Sequence, residues 1–204
     1  MIFEQIKVKN RDNFCYIIAD EVSKEAVVID TAGAVTEVLN ALKKYKLTLV
    51  YIMTTHGHSD HTAGNSELAS ATGAKIAAHA SSRTQKDVAL EGGDTLTVGQ
   101  IQLKIFHTPG HAPDSICILA DGKLMTGDTL FVGECGRTDL SGGNSEQMYS
   151  SLFETIAKLD DNIEVYPGHD YGRKRSSTIA FEKKNNYTLQ RRTKAQFVEF
   201  MAEP

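Results

Sequence analysis

Short apolar runs alternate with polar turns at the start of the chain. Polar segments at Asn10–Asp12 and Asp20–Lys24 separate three runs rich in β-branched and aromatic residues, which are Ile2–Val8, Asn13–Ala19 and Ala26–Asp30. This pattern predicts an antiparallel meander of three strands. Apolar residues then recur at the spacing of a helix, at Val35, Val38, Leu39, Leu42 and Tyr45.

A continuous apolar run, Leu49–Met53, follows this helix and predicts a buried strand. From Thr62 onward, small and apolar residues predict a second helix, through Ala63, Leu68, Ala69 and Ala71. Lys75–His79 is a short apolar run, and Ser81–Asp87 is polar without a clear period. The predicted order is therefore strand, polar loop, helix and a further short apolar segment.

Two hairpins are predicted in the second half of the chain, at Gly99-Gln100 and Asp121-Gly122. The paired runs are Asp94–Val98 with Ile101–His107, and Ile116–Ala120 with Lys123–Thr126. The glycine-rich segment Thr129–Asn144 predicts a long loop, a length that is usually functional. A helix, a last strand and a tail of two helices separated near Tyr187–Arg192 follow, at Gln147–Leu159, Ile163–Tyr166 and Ser176–Phe200.

The order of meander, helix and strand occurs twice along the chain, without a repeat in the residues themselves. This order predicts two similar halves that pack sheet to sheet with helices outside. The expected fold class is α/β, a four-layer αββα sandwich. We expect one domain over residues 1–204, with a short helical C-terminal tail from about residue 176.

Composition argues against several classes of protein. The chain has 41% hydrophobic and 24% charged residues and a formal charge of −4, so it gives no basic footprint for nucleic acid. No run approaches the roughly 20 apolar residues that span a bilayer, which predicts a protein without a membrane segment. Three widely separated cysteines argue against a disulfide framework and favour the cytoplasm, and we expect two of them, Cys15 and Cys117, in the core. The sequence is compatible with a homo-oligomer.

The segment Thr55–Gly64 carries the most concentrated chemistry in the chain. It places four imidazole and carboxylate donors within six residues, at His56, His58, Asp60 and His61. Such donors bind borderline divalent metals such as zinc or iron. Two histidines at this spacing diverge on a helix but share a face in an extended segment, which predicts a loop or strand end.

Three further candidate ligands follow predicted strands. His111, Asp128 and His169 each come after a glycine, where the backbone can bend to aim a side chain. Each of these short motifs alone is typical of an ordinary turn. Their joint occurrence with the histidine-rich segment predicts a metal site of seven nitrogen and oxygen donors.

This ordered set of motifs resembles the metallo-β-lactamase superfamily over nearly the whole chain. The resemblance implies the αββα metallo-β-lactamase fold and one metal bound by His56, His58 and His111. A second metal would be bound by Asp60, His61 and His169, with Asp128 bridging the two. His79 and His107 have no place in the motifs and are interpreted as structural.

Within the superfamily, the chain is most similar to glyoxalase II and the persulfide dioxygenases. The similarity lies in Gly127–Phe131, Cys135–Leu140 and Tyr166–Tyr171. Full-length glyoxalase II has a helical domain that helps to hold glutathione, whereas a short tail follows His169 here. It also has Lys and Tyr where this chain has Arg137 and Asp139. We therefore expect a small-molecule, thiol-linked substrate and leave glutathione as its carrier open.

Three residues near the ligands are predicted to bind an anionic thiol carrier: Arg137, Tyr171 and Arg173. For Arg137 an alternative stays open, in which its guanidinium pairs with Asp139 and orders the loop. Cys135, in the same glycine-rich segment, has no assigned role.

Three functions are compatible with these residues. The leading hypothesis is a thioesterase with two divalent ions, zinc first and iron or manganese otherwise, in which Asp60 orients a metal-activated water. The alternative is a persulfide dioxygenase with one iron(II), since His56 or His58 with His111 and Asp128 provides two imidazoles and a carboxylate. A non-catalytic metal-binding module is the third, although structural zinc sites are usually rich in cysteine.

Overall fold

A computed structural model describes residues 1–9 and 12–203 of the chain. Two sheets of six strands each make up its centre. The first sheet has the order β1 (Ile2–Lys7), β2 (Phe14–Ala19), β3 (Glu25–Ile29), β4 (Thr48–Met53), β5 (Lys75–His79) and β6 (Val88–Leu90). Strands β1 to β3 are antiparallel, which confirms the predicted meander. Of the predicted turn at Asn10–Asp12, Asn10 and Arg11 lie outside the described residues.

The second sheet repeats this arrangement. It contains β7 (Thr95–Val98), β8 (Ile101–His107), β9 (Ile116–Ala120), β10 (Lys123–Gly127), β13 (Glu164–Pro167) and β14 (Ser177–Thr178). Both predicted hairpins are present. In each sheet the last strand of the meander pairs in parallel with the strand that follows a helix, β3 with β4 and β10 with β13.

Helices cover the outer face of each sheet. They are α1 (Val35–Tyr45), α2 (Ser59–Thr62), α3 (Asn65–Thr72), α4 (Ser145–Tyr149), α5 (Ile179–Asn185) and α6 (Lys194–Ala202). Helix α4 continues as a wider π-helical stretch, Ser150–Thr155, and a short 3-10 turn, Ile156–Lys158. The α5 and α6 helices confirm the two helices predicted in the tail.

Two predicted segments are wrong in detail. The helix expected from Thr62 begins only at Asn65, because Ala63 and Gly64 leave the helical conformation, and the one-turn helix α2 that ends at Thr62 was not predicted. The loop expected over Thr129–Asn144 contains a small hairpin of β11 (Leu130–Phe131) and β12 (Glu134–Cys135). The three-residue strand β6, which pairs with β5, was not predicted, since three residues carry too little periodicity.

Three apolar cores separate four layers. On β2, Phe14, Tyr16 and Ile18 enter the core between the sheets, while Cys15 and Ile17 enter the core beneath α1 and α3. A third core joins the second sheet to α4 and α6. Strands covered on both faces read as continuous apolar runs, which explains why every residue of β2 is buried. The predicted αββα sandwich and its single domain are confirmed.

Two further predictions concern membranes and cysteines. None of the described helices has the length and apolar character that a membrane span requires. All three cysteines are buried and free. Cys15 and Cys117 lie in two of the three cores, as the sequence predicts.

Candidate metal centre

The two sheets are joined at one edge of the sandwich, and the candidate ligands lie there. The amide of Ile116 donates to the carbonyl of Thr55 at 2.8 Å, which links the second sheet to the loop after β4. The amide of Phe14, on β2, donates to the carbonyl of Gly168 at 2.8 Å. Loops that follow β4, β8, β10 and β13 are thereby held against one another.

Three imidazoles converge on one side of this edge. The ring nitrogens His56 Nε2 and His58 Nδ1 are 2.9 Å apart, and His58 Nδ1 is 3.0 Å from His111 Nε2. Two nitrogen ligands of one tetrahedral zinc, each at about 2.0–2.1 Å from the ion, lie about 3.3–3.4 Å apart. The three nitrogens therefore have close to the spacing that one bound ion requires.

A second group lies beside the first. His61 Nε2 is 3.2 Å from His169 Nε2, and Asp60 Oδ2 is 3.5 Å from His61 Nε2 and 3.4 Å from His169 Nε2. Asp60 and His61 lie on the one-turn helix α2, which starts directly after His58. That single turn places the last two donors of the motif away from the first two.

Asp128 lies between the two groups. Its Oδ2 is 3.5 Å from His111 Nε2 and 3.3 Å from His169 Nε2, and its Oδ1 is 3.3 Å from His61 Nε2. Within the described part of the chain, Asp128 Oδ1 is buried without a hydrogen-bond partner. A buried carboxylate oxygen and several clustered imidazole lone pairs fit two divalent cations that share one carboxylate.

Two glycines make this close approach feasible. A Cβ at Gly168 would lie 2.6 Å from Asp128 Oδ1 and 2.8 Å from His61 Cε1. A Cβ at Gly136 would lie 1.9 Å from the carbonyl oxygen of Asp128. A larger residue would clash with the carboxylate of Asp128 at Gly168 and with its backbone carbonyl at Gly136.

The charges of the clustered side chains point in the same direction. Burial lowers the pKa of His56, so that its ring is neutral and offers a lone pair. Burial alone would also lower the pKa values of His61 and His169. At His61, the negative charges of Asp128 and Asp30 outweigh the effect of burial and raise the pKa. Asp128 and Asp60 raise the pKa of His169 to about 9. The carboxylates therefore require positive charge here, whether from protons or from metal.

Sequence reasoning missed two residues that orient the ligands. Asp30, fully buried at the end of β3, accepts from the backbone amide and hydroxyl of Thr55 and lies 2.9 Å from His61 Nδ1. Asn13 Nδ2 donates to Asp60 Oδ2 at 3.0 Å. For Asp30, the sequence did offer a signal. Its carboxylate directly follows β3, which is parallel to β4, and parallel strands bring their carboxyl ends to the same edge of a sheet.

We expect Asp30→Asn to weaken the second metal group without unfolding the chain. Asn keeps the size of Asp and tolerates the positive φ of 54° at this position, but it removes the charge that orients the His61 ring. Metal affinity of the weaker site should fall by roughly 10- to 100-fold, as measured by chelator competition. An unchanged affinity would show that Asp30 serves the fold alone.

A cavity of about 310 Å³ opens onto both groups. Its wall contains an apolar part formed by Phe131, Leu140 and Tyr171. The Tyr171 ring, which is 57% exposed, stacks on the His169 ring at 4.7 Å between centroids. A flat side chain beside a ligand and open to solvent can contact a bound molecule.

The other two predicted substrate-binding residues differ in position. Arg137 lines the cavity, but its guanidinium forms a bidentate ion pair with the Asp139 carboxylate, with Nε 2.6 Å from Oδ1. Its backbone carbonyl lies 2.8 Å from His111 Nδ1 and so orients that ligand. Arg173 is exposed and lies outside the cavity lining, and its contact with substrate stays a prediction.

The remaining sequence candidates lie apart from the two groups. The rings of His79 and His107 stack at 4.0 Å between centroids, and His107 Nε2 is 2.9 Å from the carbonyl of Pro113. Burial raises the pKa of Cys135 to about 12, and its Sγ lies 3.9 Å from Met201 Sδ under α6. A thiol with such a pKa is not nucleophilic at neutral pH.

Comparison with known proteins agrees with these features. The sequence profile of the metallo-beta-lactamase superfamily matches residues 9–86 and 79–169. A hydroxyacylglutathione hydrolase of Anaeromyxobacter dehalogenans is 35% identical over 173 residues, which are 84% of this chain and 66% of that protein. The persulfide dioxygenase ETHE1 of Bos taurus is 34% identical over 180 residues, 86% of this chain and 71% of that protein.

Two other proteins match over nearly their full length. A probable polyketide biosynthesis zinc-dependent hydrolase of Bacillus velezensis, BaeB, is 31% identical over 204 residues, 96% of this chain and 91% of that protein. The crystal structure of ETHE1 from Myxococcus xanthus has a TM-score of 0.95 and 34% identity, covering 100% of this chain and 92% of that chain. The family profile, these relatives and the two-sheet fold lead to one conclusion: the chain belongs to the metallo-β-lactamase superfamily.

Proposed function

We propose that the protein is a thioester hydrolase that uses two divalent metal ions, with zinc as the first candidate. The observation that carries the proposal is that six donors form two groups of three, with the seventh, Asp128, between them. The similarity to a hydroxyacylglutathione hydrolase and to a zinc-dependent hydrolase supports the same reaction class. In the proposed reaction, water adds to the acyl carbonyl and the C–S bond breaks, which yields a carboxylate and a thiol.

When bound, two such ions lower the pKa of water and polarise the carbonyl oxygen. The chain's own contribution begins with Asp60, whose side chain is 41% exposed toward the cavity. Hydrogen bonds from His169 and Asn13 hold the pKa of Asp60 well below its usual range. Asp60 therefore stays an acceptor that can orient a water molecule toward the carbonyl.

The cavity wall suits a substrate with a thiol-linked arm. Phe131, Leu140 and Tyr171 offer apolar contact beside the ligands, and Arg137 offers positive charge at the rim. A thiolate is a good leaving group and needs little acid assistance. Glu134 and Tyr171 also line the cavity, and thioester cleavage does not require a proton from either.

A persulfide dioxygenase is the second candidate, and one observation favours it. The ETHE1 structure from Myxococcus xanthus superposes on the whole of this chain, and a relative of that name is a persulfide dioxygenase. His111 and Asp128, with His56 or His58, contain the two imidazoles and one carboxylate that suit a single iron. The two candidates differ in the number and kind of metal ions that activity requires.

Product analysis separates the two reactions. Protein loaded with zinc and protein loaded with iron are each given a glutathione thioester and glutathione persulfide, and free thiol, sulfite and oxygen uptake are measured. The proposal predicts stoichiometric thiol and carboxylate from the thioester without oxygen uptake. Sulfite formation with oxygen uptake, and no thioester cleavage, would overturn it.

The role of Arg137 is tested with a pair of variants. Arg137→Ala is expected to raise KM for a thioester of an anionic thiol about tenfold and to change kcat less, because the lost contact is uniform binding. Asp139→Ala should lower the same KM, since it frees the guanidinium from its present partner. If KM rises in both variants, the Arg137–Asp139 pair orders the loop and the carrier binds elsewhere.

A further inference from the structure

A second cavity lies on the other side of the first metal group. It has a volume of about 360 Å³, and it shares His58 with the cavity described above. Consecutive residues of one loop line the two cavities, Leu140 the first and Ser141 and Gly142 the second. This loop packs closely on its neighbour, because a Cβ at Gly142 would lie 2.9 Å from Pro113 Cγ.

One wall of this second cavity carries a buried carboxylate. Asp114 is only 8% exposed and lines the cavity. A Cβ at Gly57 would lie 2.9 Å from Asp114 Oδ2, so the glycine lets the carboxylate lie directly against the ligand loop. Among the described residues, no hydrogen bond or ion pair reaches the Asp114 side chain, and neither of its carboxylate oxygens is fully enclosed by protein. The open side of the carboxylate is the cavity, where a bound molecule can supply the missing partner.

The acyl arm and the thiol arm of a thioester leave its planar carbonyl carbon in different directions. If the carbonyl lies at the ligands and the thiol arm lies beside Tyr171, the acyl arm must pass His58 toward the second cavity. We propose that this cavity binds the acyl arm and that Asp114 selects acyl chains that carry a protonated amine. The inference rests on the proposed thioester hydrolysis and names the substrate class for it.

The lining favours an amine over other occupants. An ammonium group donates to a carboxylate with charge assistance, and the hydroxyls of Ser81, Thr84 and Ser141 can accept its remaining protons. A metal ion would find one carboxylate here, with the guanidinium of Arg83 in the same wall. Arg83 is exposed and can turn toward solvent, whereas Asp114 is fixed within the fold.

The first test compares matched thioesters of one thiol. The pairs are β-alanyl with butyryl and 6-aminohexanoyl with heptanoyl, in which a methyl group replaces the ammonium at two chain lengths. We expect kcat/KM to favour the amine by about tenfold or more in at least one pair. Asp114→Asn should abolish that preference and leave the alkyl thioesters within about threefold of wild type. Arg83→Ala, the control from the same wall, should retain it.

A second test does not depend on catalysis. Binding of 6-aminohexanoate and of heptanoate, the corresponding products, is measured by calorimetry on the metal-loaded protein. Wild type should bind the amine at least about tenfold more tightly, and Asp114→Asn should bind both equally. This result without any thioester cleavage would overturn the proposed reaction but keep the subsite.

Other outcomes overturn the subsite itself. Cleavage of alkyl thioesters without an amine preference in rate or binding would reject it while the proposed reaction stands. An equal loss for every acyl group in Asp114→Asn would make Asp114 a structural residue. The wild-type comparisons alone decide the question if the variant does not fold.

Discussion

Replacement of Asp128 by alanine is expected to abolish thioester hydrolysis and to lower the metal content of a chain that still folds. One carboxylate faces both groups, within 3.5 Å of His111 and 3.3 Å of His61 and His169. Its loss removes a ligand from each ion at once. We expect activity to fall at least about a thousandfold and metal to drop from about two ions per chain to one or fewer.

The control for this variant is Asp161→Ala. Asp161 is an exposed carboxylate that pairs with Lys183 at 2.7 Å and belongs to neither donor group. It should leave activity and metal content unchanged. Asp128→Ala with activity within about tenfold of wild type would reject the assigned position of Asp128 under either proposed reaction.

His169→Ala is expected to separate the two reactions. His169 Nε2 contacts His61 and Asp60, and it takes no part in the group formed by His56, His58 and His111. Under the two-metal proposal, the variant should hold about one ion per chain and lose several orders of magnitude in hydrolysis. With a single iron at the first group, it should keep both its metal and most of its activity.

Tyr171→Phe provides the matched control for His169→Ala. The phenyl ring can keep the stacking that Tyr171 makes on His169 at 4.7 Å. Metal content should therefore equal that of wild type, measured by elemental analysis after dialysis. Full metal content and activity in His169→Ala would count against the leading proposal.

Local patterns were sufficient for most of the fold. Strands such as β2 and β4 were predictable, because a strand that is covered on both faces forms a continuous apolar run in the sequence. The hairpin turn at Asp121-Gly122 was predictable because both residues adopt positive φ, which this dipeptide favours. The boundary between α2 and α3 was not predictable from apolar spacing, since only two residues, Ala63 and Gly64, interrupt the helical segment.

The candidate donor residues of the site could be predicted from the sequence, but the residues that hydrogen-bond to them could not. His56, His58 and Asp60 occupy alternate positions of one short segment, so the sequence alone identifies them as a group of metal donors. Asp30 supports His61 across 31 residues, and Asn13 reaches Asp60 across 47. No motif in the sequence singles out Asp114, and no described residue forms an ion pair with it. Only the cavity that it lines beside Gly57 indicates a role for its carboxylate.

Metal titration of the apo-protein under argon tests the central claim most directly. Zinc is added in steps from zero to about three equivalents, and release of thiol from a glutathione thioester is recorded at each step. The account predicts little hydrolysis up to one equivalent and a rise that ends at about two equivalents. Maximal hydrolysis at one equivalent, or no hydrolysis at any zinc level, would contradict it.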